Sequence, residues 1–216
     1  MYIVDRGLHL MRAFLLSYGP TSVKKRIWDK EYSDNKWHFA DNTAGDCVYR
    51  HLEKFAGYGS ILDIGCGSGN TATEVAESAY TTYIGVDISE EALAKAEKRS
   101  KQCGRQAKNS FACSDFLNYV PTGQFDVILF RESVYHIPMA KIKSTLDRYA
   151  PYLKDNGVFI VRLFAGDRNA FQPKPRPTEM LSIIEQEFSV IEKKQYHDEG
   201  LPTVLVFRPK LVASSV

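Results

Sequence analysis

Three carboxylates and one glycine-rich turn carry the chemistry that is legible in this chain. The turn reads Asp63-Ile64-Gly65-Cys66-Gly67-Ser68-Gly69-Asn70. It closes an apolar run at 60–64 and opens a helical pattern at Asn70. In that context main-chain N–H groups and a helix N-terminus can hold an anionic or polar ligand. Gly65, Gly67 and Gly69 let such a ligand approach the main chain with no Cβ in the way. The spacing is GxGxG, with Asn70 where the dinucleotide fingerprint GxGxxG places its third glycine. Asp87 ends the next apolar run, 87 − 69 = 18 residues beyond Gly69, where a carboxylate can accept from both hydroxyls of a ribose. Asp115, followed by Phe116, ends the third. Carboxylates closing three successive strands share the carboxyl edge of a parallel sheet, where open α/β folds bind their ligands.

A second group lies past the fourth run, in Arg131-Glu132-Ser133-Val134-Tyr135-His136-Ile137-Pro138. His136 is the candidate base or substrate contact, with Glu132 and Tyr135 beside it. The bland alternatives are a satisfied loop histidine before Pro138 and a Glu132 paired with Arg131 or a lysine. Trp28, Tyr32 and Trp37, with His38 and Phe39, form an aromatic cluster near the start. Spacings of four and five partly fit one helix face, so packing is the first reading and acceptor binding the second. Lys95, Lys98, Arg99, Lys101, Arg105 and Lys108 are interleaved with Glu90, Glu91 and Glu97, the pattern of a solvated helix face rather than an RNA footing. Cys66 answers a need for a small side chain rather than for thiol chemistry.

The elements that must position these groups alternate. Strands are expected at 60–64, 83–87, 110–114, 125–130 and 158–164, with helices at 70–79, 89–103, 139–153 and 178–187. Ser89 is the expected N-cap of the second of these helices. Near-continuous apolar strands between helices argue for a mostly parallel sheet covered on both faces. The last two strands, 190–196 and 203–208, are joined by a link too short for a helical crossover, so that pair is antiparallel. Residues 1–59 read as helical, including a short amphipathic helix from near Asp5 that Gly19-Pro20 stops.

Composition sets the outer bounds. A chain of 216 residues with 44% hydrophobic and 25% charged residues is ordinary globular usage, which excludes a disordered or collagen-like chain. The formal net charge of +2 gives no strong electrostatic footprint for nucleic acid or an anionic membrane, which leaves room only for a local patch. No apolar stretch reaches the roughly 20 residues of a membrane span, and no export signal is evident. Cys47, Cys66, Cys103 and Cys113 lack CxxC spacing, which disfavours a metal knuckle and fits reduced thiols in a cytoplasmic protein.

Taken in order, Asp63-Ile-Gly-Cys-Gly-Ser-Gly69, Gly85-Val-Asp-Ile88, Ser114-Asp-Phe116, Phe125-Asp-Val-Ile128 and Leu153-Lys-Asp-Asn-Gly-Val158 resemble the successive motifs of class I S-adenosylmethionine-dependent methyltransferases of the small-molecule type. The likeness covers about 60 to 208. It implies a Rossmann-like three-layer α/β sandwich, its seven-stranded, mostly parallel sheet closed by an antiparallel terminal hairpin, with a core at 60–216 and residues 1–59 as a helical cover. It implies S-adenosyl-L-methionine as cofactor. The turn, Gly65, Cys66, Gly67 and Gly69, would lie against the methionine part, with Asp63 near its amino group. Asp87 would take the ribose hydroxyls and Ile88 would lie against the adenine. Asp115 would accept from the adenine amino group, while Phe116 would donate its N–H or pack on the ring. The Arg131 backbone would meet the methionine end. The resemblance implies no universal catalytic residue, so the role of His136 depends on the acceptor.

The function expected is methyl transfer to an oxygen or nitrogen of a small molecule, without nucleic acid, membrane or metal. The alternatives are an RNA or protein methyltransferase, a nicotinamide-dependent oxidoreductase, and a non-catalytic cofactor binder. Asn70 and Asp115 argue against the oxidoreductase. Specificity is expected to come from 1–59, from Glu132 to Pro138, and from the loop around Pro173 to Pro177.

Overall fold

The computed structural model describes residues 2–38, 43–164, 177–197 and 202–210. Phe39, residues 173–176 of the proline-rich loop and residues 198–201 of the last link lie outside them. The sheet has seven strands: β1 (Gly59–Ile64), β2 (Tyr80–Asp87), β3 (Asn109–Cys113), β4 (Phe125–Arg131), β5 (Leu153–Phe164), β6 (Phe188–Gln195) and β7 (Pro202–Pro209). Their order is β3-β2-β1-β4-β5-β7-β6. The first five run parallel to one another, and β7 runs antiparallel to β5 and to β6, the latter as the short final link requires.

Side chains of period two divide between two cores. Ile61, Val127, Leu129 and Ile160 face helix α3 (Val48–Ala56) and its Val48 and Leu52. Leu62, Ile64, Ile128, Phe130, Phe159 and Val161 face the other layer, with Ile142, Leu146 and Tyr149 of α6 (Ile142–Tyr149) and Met180 and Ile184 of α7 (Pro177–Glu187). Burial on both faces explains why the strands read as continuous apolar runs. The chain winds outward from β1 in one direction and from β4 in the other, so the crevice of this sheet opens between their carboxyl ends.

Two helices precede α3. In α1 (Tyr2–Tyr18) Leu16 is buried, and Gly19 ends the helix with its N–H on the Leu15 carbonyl (2.9 Å). Helix α2 (Thr21–Ser33) begins after Pro20. Arg12 clamps α1 to α2 through both oxygens of the buried Glu31 (2.5 and 2.6 Å). Among the described residues no helix is long and apolar enough to cross a membrane.

The structure corrects three boundaries. The helix expected over 70–79 is only α4 (Asn70–Glu74), followed by a 3-10 turn at Glu77–Ala79. Tertiary groups take the backbone that a longer helix would need: Arg105 Nη1 donates to the Ala72 and Val75 carbonyls (3.2 and 2.7 Å), and Glu53 accepts from the Ala76 N–H (3.0 Å). The helix expected over 139–153 is α6 between 3-10 turns, with Pro151, which lacks an N–H, in the second. Strand β5 starts at Leu153, five residues before the expected 158, because Leu153 already pairs with Phe125 and Lys154 is held by Asp126 (2.6 Å).

Candidate functional site

The glycine turn hangs over the end of β1, and Gly65, Gly67 and Gly69 all take left-handed backbone (φ 75°, 55° and 75°). At Gly69 a Cβ would lie 2.6 Å from the Ala96 Cβ of α5 (Glu90–Gln102), so the turn and that helix pack only through glycine. At Gly67 it would lie 2.7 Å from the Tyr32 hydroxyl, which sits over the turn from α2. Gly65 and Cys66 both donate their N–H to the Val86 carbonyl (2.7 and 3.0 Å), fixing the turn to β2. Burial pushes the Cys66 thiol up, well above its ordinary range, so this sulfur fills space and stays protonated.

The structure brings Asp63, Asp87 and Asp115 to one edge, as the spacing predicts, and gives each a different environment. Asp63 is fully buried. Its Oδ2 accepts from the Tyr83 hydroxyl (2.7 Å), and its Oδ1 has no hydrogen-bond partner among the described residues. Burial lifts its pKa to about 6 against the pull of the Tyr83 and Thr71 hydroxyls and the Arg131 guanidinium. Asp87 accepts from the Gly67 N–H and the Ser89 N–H, both at 2.9 Å. It is therefore Asp87, not Asp63, that bonds the glycine turn's own backbone. Burial raises its pKa against those two bonds. Ser89 is the expected N-cap, accepting from the Ala92 N–H (3.2 Å). Asp115 accepts from the Leu117 N–H (3.0 Å) and from the Thr21 hydroxyl of α2 (3.1 Å). Ile88 and Phe116 are half-buried beside these carboxylates. The Phe116 carbonyl is fixed by Arg148 and Tyr149 (2.5 and 2.6 Å).

Past β4 the side chains form a charged knot. Arg131 and Arg162 are paired neighbours on β4 and β5. Asp46 bridges them, 2.7 Å from Arg131 Nη2 and 3.4 Å from Arg162 Nε, and also accepts from the Val48 N–H at the start of α3 (3.0 Å). Burial works against ionising Asp46, but the two guanidiniums outweigh it and hold its pKa low. Glu132, with left-handed backbone (φ 55°), pairs with Arg162 (2.5 Å). Tyr135 donates to the Phe164 carbonyl (2.9 Å), and burial pushes its phenol far above its usual range. His136 meets Trp28 edge-on (5.1 Å, 87°).

Trp28 also lies against Tyr32 and Trp37, with ring centroids 6.4 and 5.3 Å away. The aromatic cluster is packed, and its packing carries it onto the site. Sequence reasoning missed Asp46, Arg162, Tyr83 and Thr21. Only Arg162 left a signal, a charge inside an apolar strand. The basic run differs from expectation as well: Lys95 donates to the Tyr32 carbonyl (2.8 Å), Lys108 to that of Glu77 (3.2 Å), Arg99 binds Asn70, and Arg105 holds the end of α4. Lys98 and Lys101 stay exposed.

Residues 61–157 match the family model described as a methyltransferase domain. One curated relative is the 27-O-demethylrifamycin SV methyltransferase of Amycolatopsis mediterranei, 26% identical over 120 residues, 52% of this chain and 44% of the relative. The chain thus spans less than half the length of such relatives. Among solved structures, N-methyltransferase NodS of Bradyrhizobium japonicum, in complex with S-adenosyl-L-homocysteine, superposes with a TM-score of 0.68 at 17% identity, covering 86% of this chain and 97% of that one. The 1,6-didemethyltoxoflavin-N1-methyltransferase of Burkholderia thailandensis gives 0.70 at 17% identity, with 88% of each chain covered. Over residues 61–157 the chain is thus similar to a methyltransferase domain, and it has the class I, Rossmann-like fold of these solved structures.

Proposed function

We propose that this chain is an S-adenosylmethionine-dependent methyltransferase acting on an oxygen or nitrogen of a small-molecule acceptor. The observation that carries the reading is Asp63, a buried carboxylate beneath the glycine turn with one oxygen unpartnered among the described residues. A cationic donor is what such an oxygen lacks, and the ammonium of a bound methionine moiety fits it. Asp87 takes the ribose hydroxyls, exchanging its Gly67 bond for them, and Asp115 takes the adenine amino group between Ile88 and Phe116. The turn from Gly65 to Gly69 and the Arg131 backbone hold the methionine end.

When bound, the cofactor supplies a methyl group on a positively charged sulfur, electrophilic without further activation. The chain then has to hold a nucleophile in line and keep water out. Residues 1–59 serve as the cover: α2 lies over the turn through Tyr32 and brings Trp28 to His136. His136 is the residue placed to take a proton from an acceptor hydroxyl or to hold an amine uncharged. Glu132 and Tyr135 act as its neighbours in shaping the acceptor side, with Trp28, Tyr32 and Trp37 as walls. The engaged cations of the basic run and the small net charge favour a small molecule over nucleic acid. Four free cysteines support a cytoplasmic setting.

Isothermal calorimetry with S-adenosylhomocysteine tests the reading. Asp87→Ala is expected to abolish binding while circular dichroism shows a folded chain. Unchanged affinity overturns the assignment.

A further inference from the structure

Besides Asp63 Oδ1, two more buried side-chain atoms at the carboxyl edge lack a hydrogen-bond partner among the described residues: Ser133 Oγ and Arg162 Nε. Asp63 is an acceptor, assigned above to the cofactor's ammonium. The other two atoms can donate, and the cofactor gives neither a partner. Ser133 is 4% exposed and packs on the glycine turn, where a Cβ on Gly65 would lie 2.5 Å from the Ser133 Cβ. Its carbonyl accepts from the His136 N–H (3.1 Å). The orphan hydroxyl and the proposed base thus stand at the two ends of one 3-10 turn, about 6 Å apart along it.

Arg162 is one strand further on, paired with Arg131 in the β4–β5 register. Asp46 lies between the two guanidiniums but is committed to Arg131. Its Oδ2 accepts from Arg131 Nε and Nη2 (3.0 and 2.7 Å), and its Oδ1 accepts from the Val48 N–H (3.0 Å). Arg162 Nε is left 3.4 Å from Oδ1, an ion pair without a hydrogen bond. The carboxylate that Arg162 does hydrogen-bond is Glu132, through Nη1. These two carboxylates are held very differently. The Asp46 side chain is 5% exposed, whereas that of Glu132 is 35% exposed, on left-handed backbone (φ 55°) that strains a residue with a side chain. Glu132 is therefore the partner that a competing carboxylate displaces. A guanidinium receives such a group on two parallel N–H bonds.

Resting on the methyltransferase reading, we infer that the acceptor is a small acid, whose carboxylate takes the place of Glu132 on Arg162 and accepts from the Ser133 hydroxyl. The carboxylate is an anchor, not the methylated group. A hydroxyl or amine a few bonds away on the same molecule then meets His136. A neutral analogue gives these donors no anion to bind, and the site discriminates against it for that reason.

The test is calorimetry on the full chain saturated with S-adenosylhomocysteine. The probes are 3-hydroxybenzoate, 3-aminobenzoate and 4-hydroxybutanoate, each set against its primary amide. The acids are expected to bind at least about tenfold more tightly than the amides. Arg162→Gln and Ser133→Ala each reduce that preference, through weaker acid binding at unchanged amide binding. Because Arg162→Gln also disturbs the pairing around Asp46, Glu132→Gln is the second kind of variant. With the competing charge gone, acid affinity rises about threefold or more, opposite in sign to the loss of a structural contact. Acids and amides that bind alike overturn the inference, and so does failure of every acid to bind at about 10 mM. An unchanged or lowered acid affinity in Glu132→Gln overturns it as well. A wild-type chain that binds no S-adenosylhomocysteine in the calorimeter overturns the methyltransferase reading itself, which separates the two failures.

Discussion

Asp63 shows how much one residue's surroundings decide. Burial lifts its folded-state pKa from 3.8 to about 6, so ionising it costs stability above pH 6, and that cost is relieved as the pH falls through 6 towards 4. Cofactor affinity has the opposite sign, because an ammonium requires the ionised form. The Kd for S-adenosylhomocysteine is expected to rise severalfold between pH 7 and pH 5, with a midpoint near 6 in calorimetry. Tyr83→Phe removes a donor to the carboxylate and moves that midpoint upward; Asp63→Asn removes the slope. A slope that persists in Asp63→Asn assigns it elsewhere. The positions of Asp63, Asp87 and Asp115 were legible because strand ends and glycines fix them locally. Asp46 with Arg131 and Arg162 was not, since partners 85 and more residues apart leave no periodic trace.

At the scale of elements, the central strands β1, β4, β5 and β7 announced themselves because burial on both faces writes a long apolar run in each. Their ends were harder. α4 stops where Arg105, from the far end of the next helix–turn unit, captures its carbonyls, and no feature of 70–79 encodes that capture. The packing of the turn on α5 predicts a sharp response to Gly69→Ala. The new methyl would meet Ala96 at 2.6 Å in a backbone conformation that disfavours side chains. The expected loss is about 2 kcal/mol or more of stability, read as a lowered urea midpoint. Ser89→Ala, which removes only the cap of α5 and its bond to Asp29, is expected to cost about 1 kcal/mol. Equal losses in the two variants would argue against close packing as the reason for Gly69.

For the molecule as a whole, Asp46 ties the N-terminal helices to the sheet, since it starts α3 and neutralises arginines on two strands. Asp46→Ala leaves two half-buried guanidiniums side by side, Arg162 still paired with Glu132, and the expected loss is about 2 kcal/mol, seen as a fall in the urea midpoint at unchanged slope. An unchanged midpoint would show the knot to be dispensable. The antiparallel end of the sheet was foreseen from the short final link, and the strand order carries a further consequence. Strand β7 is the last of the seven in the chain, yet it lies between β5 and β6. A polypeptide emerging from the ribosome can pair β1 to β5 as they appear, but β6 has no neighbour until β7 is made. The edge of β5, with its buried Phe159, Val161 and Leu163, waits uncovered for the same strand. Synthesis in one direction therefore cannot complete this fold progressively, and the nascent chain carries an open sheet edge until residues 202–209 are free to slide in.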